Sequence, residues 1–216
     1  MAVLSIGWSN LAKVAPAKPA VTTGSEGESG EQPAAPEVKR AAKPLLVYVA
    51  DPAASEGFDK VEKVVMTEDK IVIGTKAFTC VRMTPEQADQ DELLVKAGQG
   101  APRVVFISAD YQDIETLEGD KLSIGKMWSE MNAQFKKHYK GDLEKNVKAM
   151  LKVLGEFDKI ANERKLIEEK KARADKPSDA DKKEWDKETK ELDAREKAAN
   201  AERDALLKFE PKSIAS

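Results

Sequence analysis

The six residues Leu45-Leu46-Val47-Tyr48-Val49-Ala50 are apolar without interruption, and they decide the fold class. A half-buried strand would alternate apolar and polar residues, whereas a run that is apolar at every position predicts a strand buried on both faces. Such a strand belongs in the interior of a sheet that other layers cover on both sides. The 216-residue chain is therefore expected to build its core around this segment.

Helices and strands alternate in the sequence that follows this strand. Apolar spacing predicts helices over 58–65, over 85–97 and after Ser123, where Met127, Trp128, Met131 and Phe135 recur, and strands over 77–83, 102–108 and 114–118. Turn residues at 110–113 predict that the last two strands form a hairpin. This order predicts an α/β (α+β mixed sheet) fold with helices on both faces of the sheet.

The same order of elements resembles the thioredoxin superfamily over about residues 44–139. Leu45–Ala50 resembles the central strand of that family, which leads to the active-site helix. Gly100-Ala101-Pro102-Arg103-Val104-Val105-Phe106 resembles its segment with a cis-proline, which the last hairpin and the final helix follow. The resemblance implies a thioredoxin-like domain in which Pro102 is cis and, with Ala101, contacts a substrate peptide.

The sequence departs from this family where the CxxC motif would stand. After the central strand it reads Asp51-Pro52-Ala53-Ala54-Ser55-Glu56-Gly57, which contains no cysteine. Dithiol chemistry needs one cysteine with a lowered pKa and a second cysteine that resolves the mixed disulfide. The resemblance therefore implies a vestigial active-site region, formed by Ala53, Ala54, Ser55, Glu56 and Pro102, without dithiol activity.

Two residues in this domain leave alternatives open. Cys80 is the only cysteine and lies mid-strand, where a buried thiol behaves as a small inert hydrophobe, so a structural role is favoured over a redox role. Pro102 either sets the geometry of the sheet or lines a retained peptide-binding groove. With one cysteine and one histidine, His138, the chain offers no Cys-rich or His-cluster metal site, and the sequence predicts no catalytic residue, metal or cofactor.

The N-terminal residues divide into a short docking peptide over 1–15 and a linker over 16–43. The linker is rich in Pro, Ala, Gly and Glu and has no aromatic residue, which predicts a flexible tail. The peptide ahead of it carries four large apolar residues outside any periodic element: Leu4, Ile6, Trp8 and Leu11. It is either a disordered end or a docking segment that buries these residues in a partner or in its own domain.

The residues after the thioredoxin-like domain of 44–140 predict a charged, coiled-coil-like helical hairpin over 141–212. Apolar residues recur at spacings of four and three in the first helix: Leu143, Val147, Met150, Leu154, Phe157 and Ala161. Lys176-Pro177-Ser178 breaks this helix, and Trp185, Leu192, Ala199 and Leu206 recur every seven residues in the second. Trp185 either packs against Ile167 or Leu166 across the hairpin or anchors a partner.

Charge and hydropathy limit the classes of function. No apolar run approaches the ~20 residues that span a bilayer, so no membrane insertion is expected. Residues 44–131 carry nine basic and sixteen acidic side chains, which would repel a phosphate backbone. The lone cysteine and the absence of a signal-like N-terminus favour a cytoplasmic protein.

These patterns together favour a non-enzymatic function. The leading hypothesis is a redox-inactive thioredoxin-like protein that acts as a protein-interaction or structural component of a larger assembly. Its partners would be proteins, bound through the N-terminal peptide and in addition through the hairpin, and not nucleic acid. The alternatives are a thiol-linked oxidoreductase or chaperone that uses Cys80 or a groove near Pro102, and a ribosome or nucleic-acid binder.

Overall fold

The computed structural model of the chain describes residues 5–9, 43–51 and 55–212. Its fold is mixed α/β. The described residues contain one five-stranded mixed sheet and several helices, of which the two longest are consecutive near the C-terminal end.

The sheet has the strand order β1-β3-β2-β4-β5. Its strands are β1 (Trp8–Ser9), β2 (Leu45–Val49), β3 (Thr79–Met83), β4 (Arg103–Ile107) and β5 (Ile114–Glu118). β1 and β2 both run parallel to β3, whereas β4 runs antiparallel to β2 and to β5. β2 therefore lies in the middle of the sheet, as its uninterrupted apolar sequence predicts.

Seven α-helices connect or follow these strands in the described part of the chain. They are α1 (Ser55–Lys60), α2 (Asp69–Gly74), α3 (Pro85–Ala88), α4 (Glu92–Lys96), α5 (Ile124–His138), α6 (Leu143–Arg173) and α7 (Asp179–Leu206). A π-helical turn, Val61–Val65, follows α1 directly, and 3-10 turns follow α2 and β5.

One apolar layer is centred on alternate residues of β2. Leu45, Val47 and Val49 point to the same face and lie opposite buried residues of β3 and β4. Ala88 of α3 and Leu94 of α4 complete this layer, so that the two short helices cover one face of the sheet. Because every residue of β2 is at most 3% exposed, the strand is buried on both faces, which confirms the sequence prediction.

The described residues divide into two compact units. One draws on 7–67 and 78–127, and contains the sheet with α1, α3 and α4. The other draws on 5–6, 68–77 and 128–212, and contains α2 with the two long helices. The predicted boundary at residue 140, between the thioredoxin-like domain and the hairpin, stays a prediction. α2 belongs to the same unit as the two long helices, although it lies between two strands in the sequence.

Several elements of this fold were not foreseen in the sequence, and the predicted helix over 85–97 is two short helices, α3 and α4. The predicted helix over 58–65 is instead α1 followed by the π-helical turn, and α2 forms where the pattern predicted no element. Ile71, Val72 and Ile73 are all buried, so α2 has no polar face and no amphipathic period in its sequence. β-Branched residues such as these also have a low intrinsic preference for helices, so packing overrides propensity here.

The helices α6 and α7 form the predicted pair, but the buried face of α6 differs from the predicted seam. Its buried residues are Leu143, Val147, Met150, Val153, Ile160 and Ile167. Ala161 is exposed. Val153 is buried where Leu154 was expected to be, and Ile160 is buried where Ala161 was expected to be. At about 100° per residue, Val153 lies roughly 80° around the helix from Leu143. Besides α7, α6 also contacts α2.

An aromatic cluster packs the segment that follows α7 against the end of α5. The ring of Phe209 lies 5.5 Å from that of Phe135 and 5.6 Å from that of Tyr139, both of α5. Tyr139 also forms a β-bridge with Pro211, and its buried hydroxyl donates a hydrogen bond of 2.7 Å to the Ala77 carbonyl. Burial raises the pKa of Tyr139 to about 12. The segment after α7 thereby fastens the second long helix to the end of α5.

Replacing Ile160 by alanine tests the corrected buried face. Ile160 is 2% exposed, so Ile160→Ala should lower the free energy of unfolding by about 2–4 kcal/mol, as large-to-small substitutions in cores do. Urea unfolding followed by circular dichroism at 222 nm measures this loss. The matched control is Leu166→Ala, because Leu166 lies on the same helix and is 57% exposed. Equal effects of the two substitutions would contradict the assigned face.

Candidate functional site

The first candidate site is the corner where α1 begins beside Pro102. The Ala101–Pro102 peptide bond is cis, as the resemblance implied. A Cβ built on Gly57 of α1 would lie 3.6 Å from Cδ of Pro102, so the first turn of the helix contacts the proline ring. The structure thus brings together the helix start and the proline that the sequence analysis assigned to one region.

The remaining residues of the predicted vestigial region are described only in part. Ala53 and Ala54 lie outside the described residues. Ser55 and Glu56 form the first turn of α1, where the backbone alone is described. Because no residue from 51 to 57 is a cysteine, this corner carries no thiol.

A buried arginine supports the loop that leads into Pro102. Arg103, the first residue of β4, is fully buried and donates a hydrogen bond of 2.6 Å from Nη1 to the Gly100 carbonyl. Burial lowers the pKa of Arg103, while the charges of Asp89 and Glu118 act in the opposite direction. Its Nε and Nη2 have no hydrogen-bond partner among the described residues. Arg103 therefore fixes the backbone next to the cis bond from inside the domain.

The single cysteine lies away from this corner. Cys80 is 4% exposed in β3, and its Cα pairs with Leu46 on one side and with Trp8 on the other. Arg103, the residue after Pro102, pairs with Val49 instead. At ~3.3 Å per residue and ~4.8 Å per strand, Cys80 is displaced from this end of the sheet by roughly 10 Å along the strands and by roughly 10 Å across them. Its thiol cannot substitute for one at the start of α1.

A second cluster of side chains surrounds Tyr48 on the opposite face of β2. The guanidinium of Arg82 lies 5.6 Å from the centre of the Tyr48 ring and 5.9 Å from that of Phe58. Its Nη2 forms an ion pair of 2.8 Å with Oε1 of Glu62, which projects from the π-helical turn. Burial, together with the nearby Glu62 carboxylate, raises the pKa of Tyr48 above its ordinary value. Tyr48 therefore stays neutral and acts as an aromatic platform.

The N-terminal peptide lies on the sheet through this platform. Trp8 and Ser9 form β1, and their Cα atoms pair with Cys80 and Val81 of β3. The ring of Trp8 lies 5.9 Å from that of Tyr48, at an angle of 32°. Nearer the N-terminus, the carbonyl of Ser5 accepts a hydrogen bond of 2.6 Å from Nζ of Lys76. Of the alternatives left open by the sequence, the structure places Trp8 on its own domain.

Of the other residues predicted to bind a partner, the structure describes Ile6 and Trp185. Ile6 is half-buried, and Leu4 and Leu11 lie outside the described residues. Trp185 of α7 is half-buried and packs against the cluster of Ile160, Ile167 and Leu192, as expected for packing across the hairpin. Leu166, the other neighbour considered for Trp185, is exposed. Binding of a partner by any of these residues stays a prediction.

Ion pairs across the two long helices fix their register. Arg195 of α7 contacts Glu156 and Glu163 of α6, each with a shortest distance of 2.6 Å. Arg164 of α6 contacts Asp193 and Glu196 of α7 at 2.6 and 2.7 Å. The hydrogen bonds from Arg195 hold the pKa of Glu156 below its ordinary value. The two arginines thus bind carboxylates in opposite directions across the pair.

Several of these residues were not singled out in the sequence. Arg103 begins an apolar strand directly after a proline. A charged residue next to a buried apolar run was the one sequence feature that could have indicated its role. Arg82 and Glu62 are separated by nineteen residues, and only the fold brings them to Tyr48. The pairing of β1 with β3 spans seventy residues and depends on two residues that have no strand-like pattern of their own.

Comparisons with known proteins do not assign the chain to a family. No family profile, no curated protein and no solved structure matches it. Within the described ranges, no helix combines the length and the hydropathy that crossing a membrane requires.

Replacing Trp8 tests whether the peptide contributes to the stability of its own domain. Trp8→Ala should lower the free energy of unfolding by about 1.5–2 kcal/mol, because it removes the aromatic contact with Tyr48 and the buried part of the indole. Trp8→Phe keeps a ring at this position and should lose less. Urea unfolding of the three proteins measures the difference. If Trp8→Ala leaves the unfolding midpoint unchanged, the contact with Tyr48 does not stabilise the domain.

The ion pair of Glu156 with Arg195 should make the helical pair sensitive to acid. Because the pKa of Glu156 is lowered on folding, its contribution to stability is present above about pH 4.5, the ordinary value, and is lost as the pH falls through the folded-state value. Glu156→Gln should therefore lower the urea midpoint at pH 7 and have no effect near pH 2.

A double-mutant cycle supplies the control for this effect. In a chain that already carries Arg195→Gln, the substitution Glu156→Gln should change the midpoint less than in the wild type. An effect of Glu156→Gln that is independent of both pH and Arg195 would show that the carboxylate does not act through this pair.

Proposed function

We propose that the protein is a redox-inactive thioredoxin-like protein that acts as a protein-interaction or structural component of a larger assembly. The observation that carries the proposal is the corner formed by α1 and the cis peptide bond before Pro102. It has the arrangement implied by the resemblance, but residues 51–57 supply no thiol to it.

The order of the strands supports a thioredoxin-like domain. β2 is the central strand and leads to α1, and the segment with Pro102 leads to β4, to the hairpin with β5 and then to α5. These are the elements on which the resemblance was based. Their arrangement in one mixed sheet is what a thioredoxin-like domain would require.

The burial of Cys80 supports the absence of redox chemistry. Disulfide exchange requires a thiolate that can reach the sulfur atoms of its substrate. Cys80 is 4% exposed within β3, and a thiol in apolar surroundings is not activated. The alternative of a thiol-linked enzyme therefore lacks an accessible nucleophile in this chain.

The helical pair supports a role in interaction. Beyond the end fastened by Phe209, its inner face has few large apolar residues, namely Ile160, Ile167, Trp185 and Leu192, and depends on ion pairs across the helices. Leu166 lies exposed beside Ile167 and Leu192 in a shallow groove with Lys170 and Glu188 on its rim. A long pair with charged outer faces and with exposed leucines at Leu151 and Leu166 offers a large surface for contact with another protein.

Comparing the wild type with Cys80→Ala tests this function. The wild type should not reduce the disulfides of insulin in the presence of dithiothreitol above the rate of the reagent alone. In extracts of the cells that make it, both proteins should elute from a sizing column well above the 23.7 kDa of one chain. Insulin reduction that is lost in Cys80→Ala would instead support the thiol-linked enzyme. Elution of the wild type as a free single chain would contradict a role in an assembly.

A further inference from the structure

The edge of β3 is covered by a very short strand that belongs to the chain's own N-terminus. Among the described residues, β1 pairs with β3 only through Trp8 and Ser9, whereas β2 pairs with β3 along five residues. Strand edges present unpaired backbone donors and acceptors to any extended segment that fits them. The seated peptide shows which chemistry this edge accepts: an extended backbone with a tryptophan that stacks on Tyr48.

Among the described residues, this peptide pairs with the sheet along two residues. Its contacts there include the contact between the rings of Trp8 and Tyr48, and the Ser5 carbonyl accepts a hydrogen bond from Lys76. Trp8 itself is half-buried, and Ser9 is exposed. A two-residue strand at an edge opens more easily than a strand in the interior of the sheet, since local opening is easiest where few buried contacts oppose it.

Thirty-five residues, 10–44, separate β1 from β2. A connection between parallel strands needs only about a dozen residues. As a Gly-rich coil, a segment of this length would have a root-mean-square reach of roughly 30–35 Å. The peptide of one copy can therefore reach the edge of β3 in a neighbouring copy without any change in either domain.

We infer that residues 5–9 of one copy bind the β3 edge of a second copy, with Trp8 opposite Cys80 and stacked on Tyr48, so that neighbouring copies exchange their β1 strands. This inference rests on the proposed function, because it names a second copy of the chain as one partner in the assembly. The contacts in the exchanged state are those already seen within one chain. No new interface has to form.

Charge complementarity favours the same occupant. Residues 1–15 carry Lys13 and no acidic side chain, whereas residues 44–131 carry sixteen acidic and nine basic side chains. A peptide of positive charge is attracted to a domain of negative charge whether the two belong to one chain or to two. The attraction raises the rate of encounter more than the final affinity.

Concentration decides between docking within a chain and exchange between chains. A flexible linker of this length would hold the peptide at an effective concentration of about 1 mM near its own edge. At micromolar concentration in solution, docking within the chain is therefore favoured by roughly a thousandfold. Exchange becomes dominant where an assembly holds copies close together, or where the tether is too short for the peptide to reach its own edge.

Shortening the tether tests the exchange directly. Deletion of residues 14–40 leaves eight residues between Ser9 and Leu45, too few for the parallel connection. By light scattering on a sizing column at 50 µM, the wild type should be a monomer and the deletion variant a dimer or larger. Replacement of residues 14–40 by the same number of Gly and Ser residues should restore the monomer. Adding Trp8→Ala to the deletion variant should also give a monomer.

Two outcomes would overturn the inference. One is a deletion variant that stays monomeric, and the other is a deletion variant whose dimer persists with Trp8→Ala. A peptide of residues 1–15 with a fluorescent label provides a second measurement that requires no deletion. It should bind full-length Trp8→Ala at least tenfold more tightly than the wild type, whose edge is already occupied. Equal binding to both, or none to Trp8→Ala, would contradict the inference.

These outcomes are distinguishable from a failure of the proposed function. A redox-active protein would be detected by insulin reduction whether or not strands exchange. Conversely, a large complex in cell extracts combined with a monomeric deletion variant would leave the assembly role in place and would remove the second copy as the partner bound at β3.

Discussion

The burial of β2 on both faces is the constraint on which the sheet domain depends. Every backbone donor and acceptor of such a strand must be paired, because no water reaches it. β3 and β4 supply these pairs on the two edges, in parallel and antiparallel orientation, along all five residues. The positions of α1, of Pro102 and of Cys80 then follow from the register of the two neighbours with β2.

The same register keeps Cys80 apart from the corner formed by α1 and Pro102. It brings the segment before Arg103 to the end of β2 where α1 begins, and it places Cys80 opposite Leu46, three residues further back. A thiol at that point is a core side chain. The corner beside Pro102 carries no thiol, and the proposed role in interaction is based on this observation.

Burial and periodicity made the regular elements predictable. β2, β4, β5, α5 and the two long helices were predicted from local patterns, because each buries one face or both against a neighbour. The bounds of α1 and the existence of α2 were not predicted. Residues 71–73 of α2 are three consecutive buried β-branched residues, and such a run has no helical period. In α6, the buried face rotates from Leu143 to Ile160, and the regular four-and-three spacing of apolar residues in the sequence does not indicate this rotation.

The candidate site was predictable only where the residues lie close together in the chain. The cis bond at Pro102 was expected from a resemblance, and the absence of cysteine was read directly from residues 51–57. The cluster of Tyr48, Glu62 and Arg82 depends on contacts between distant segments. The strand β1 depends on a pairing of two residues, which is too short to produce the alternation that identifies a strand.

The N-terminal peptide forms the outer strand of the sheet through Trp8 and Ser9. Amide hydrogen exchange of the full-length protein, resolved to single residues by nuclear magnetic resonance, tests this pairing most directly. Amides on the outer edge of β3 should exchange at least tenfold faster in Trp8→Ala than in the wild type, while the amides of β2 and β4 keep their rates. Unchanged exchange along β3 would show that the peptide does not pair with the sheet, and would contradict both its docking and its exchange between copies.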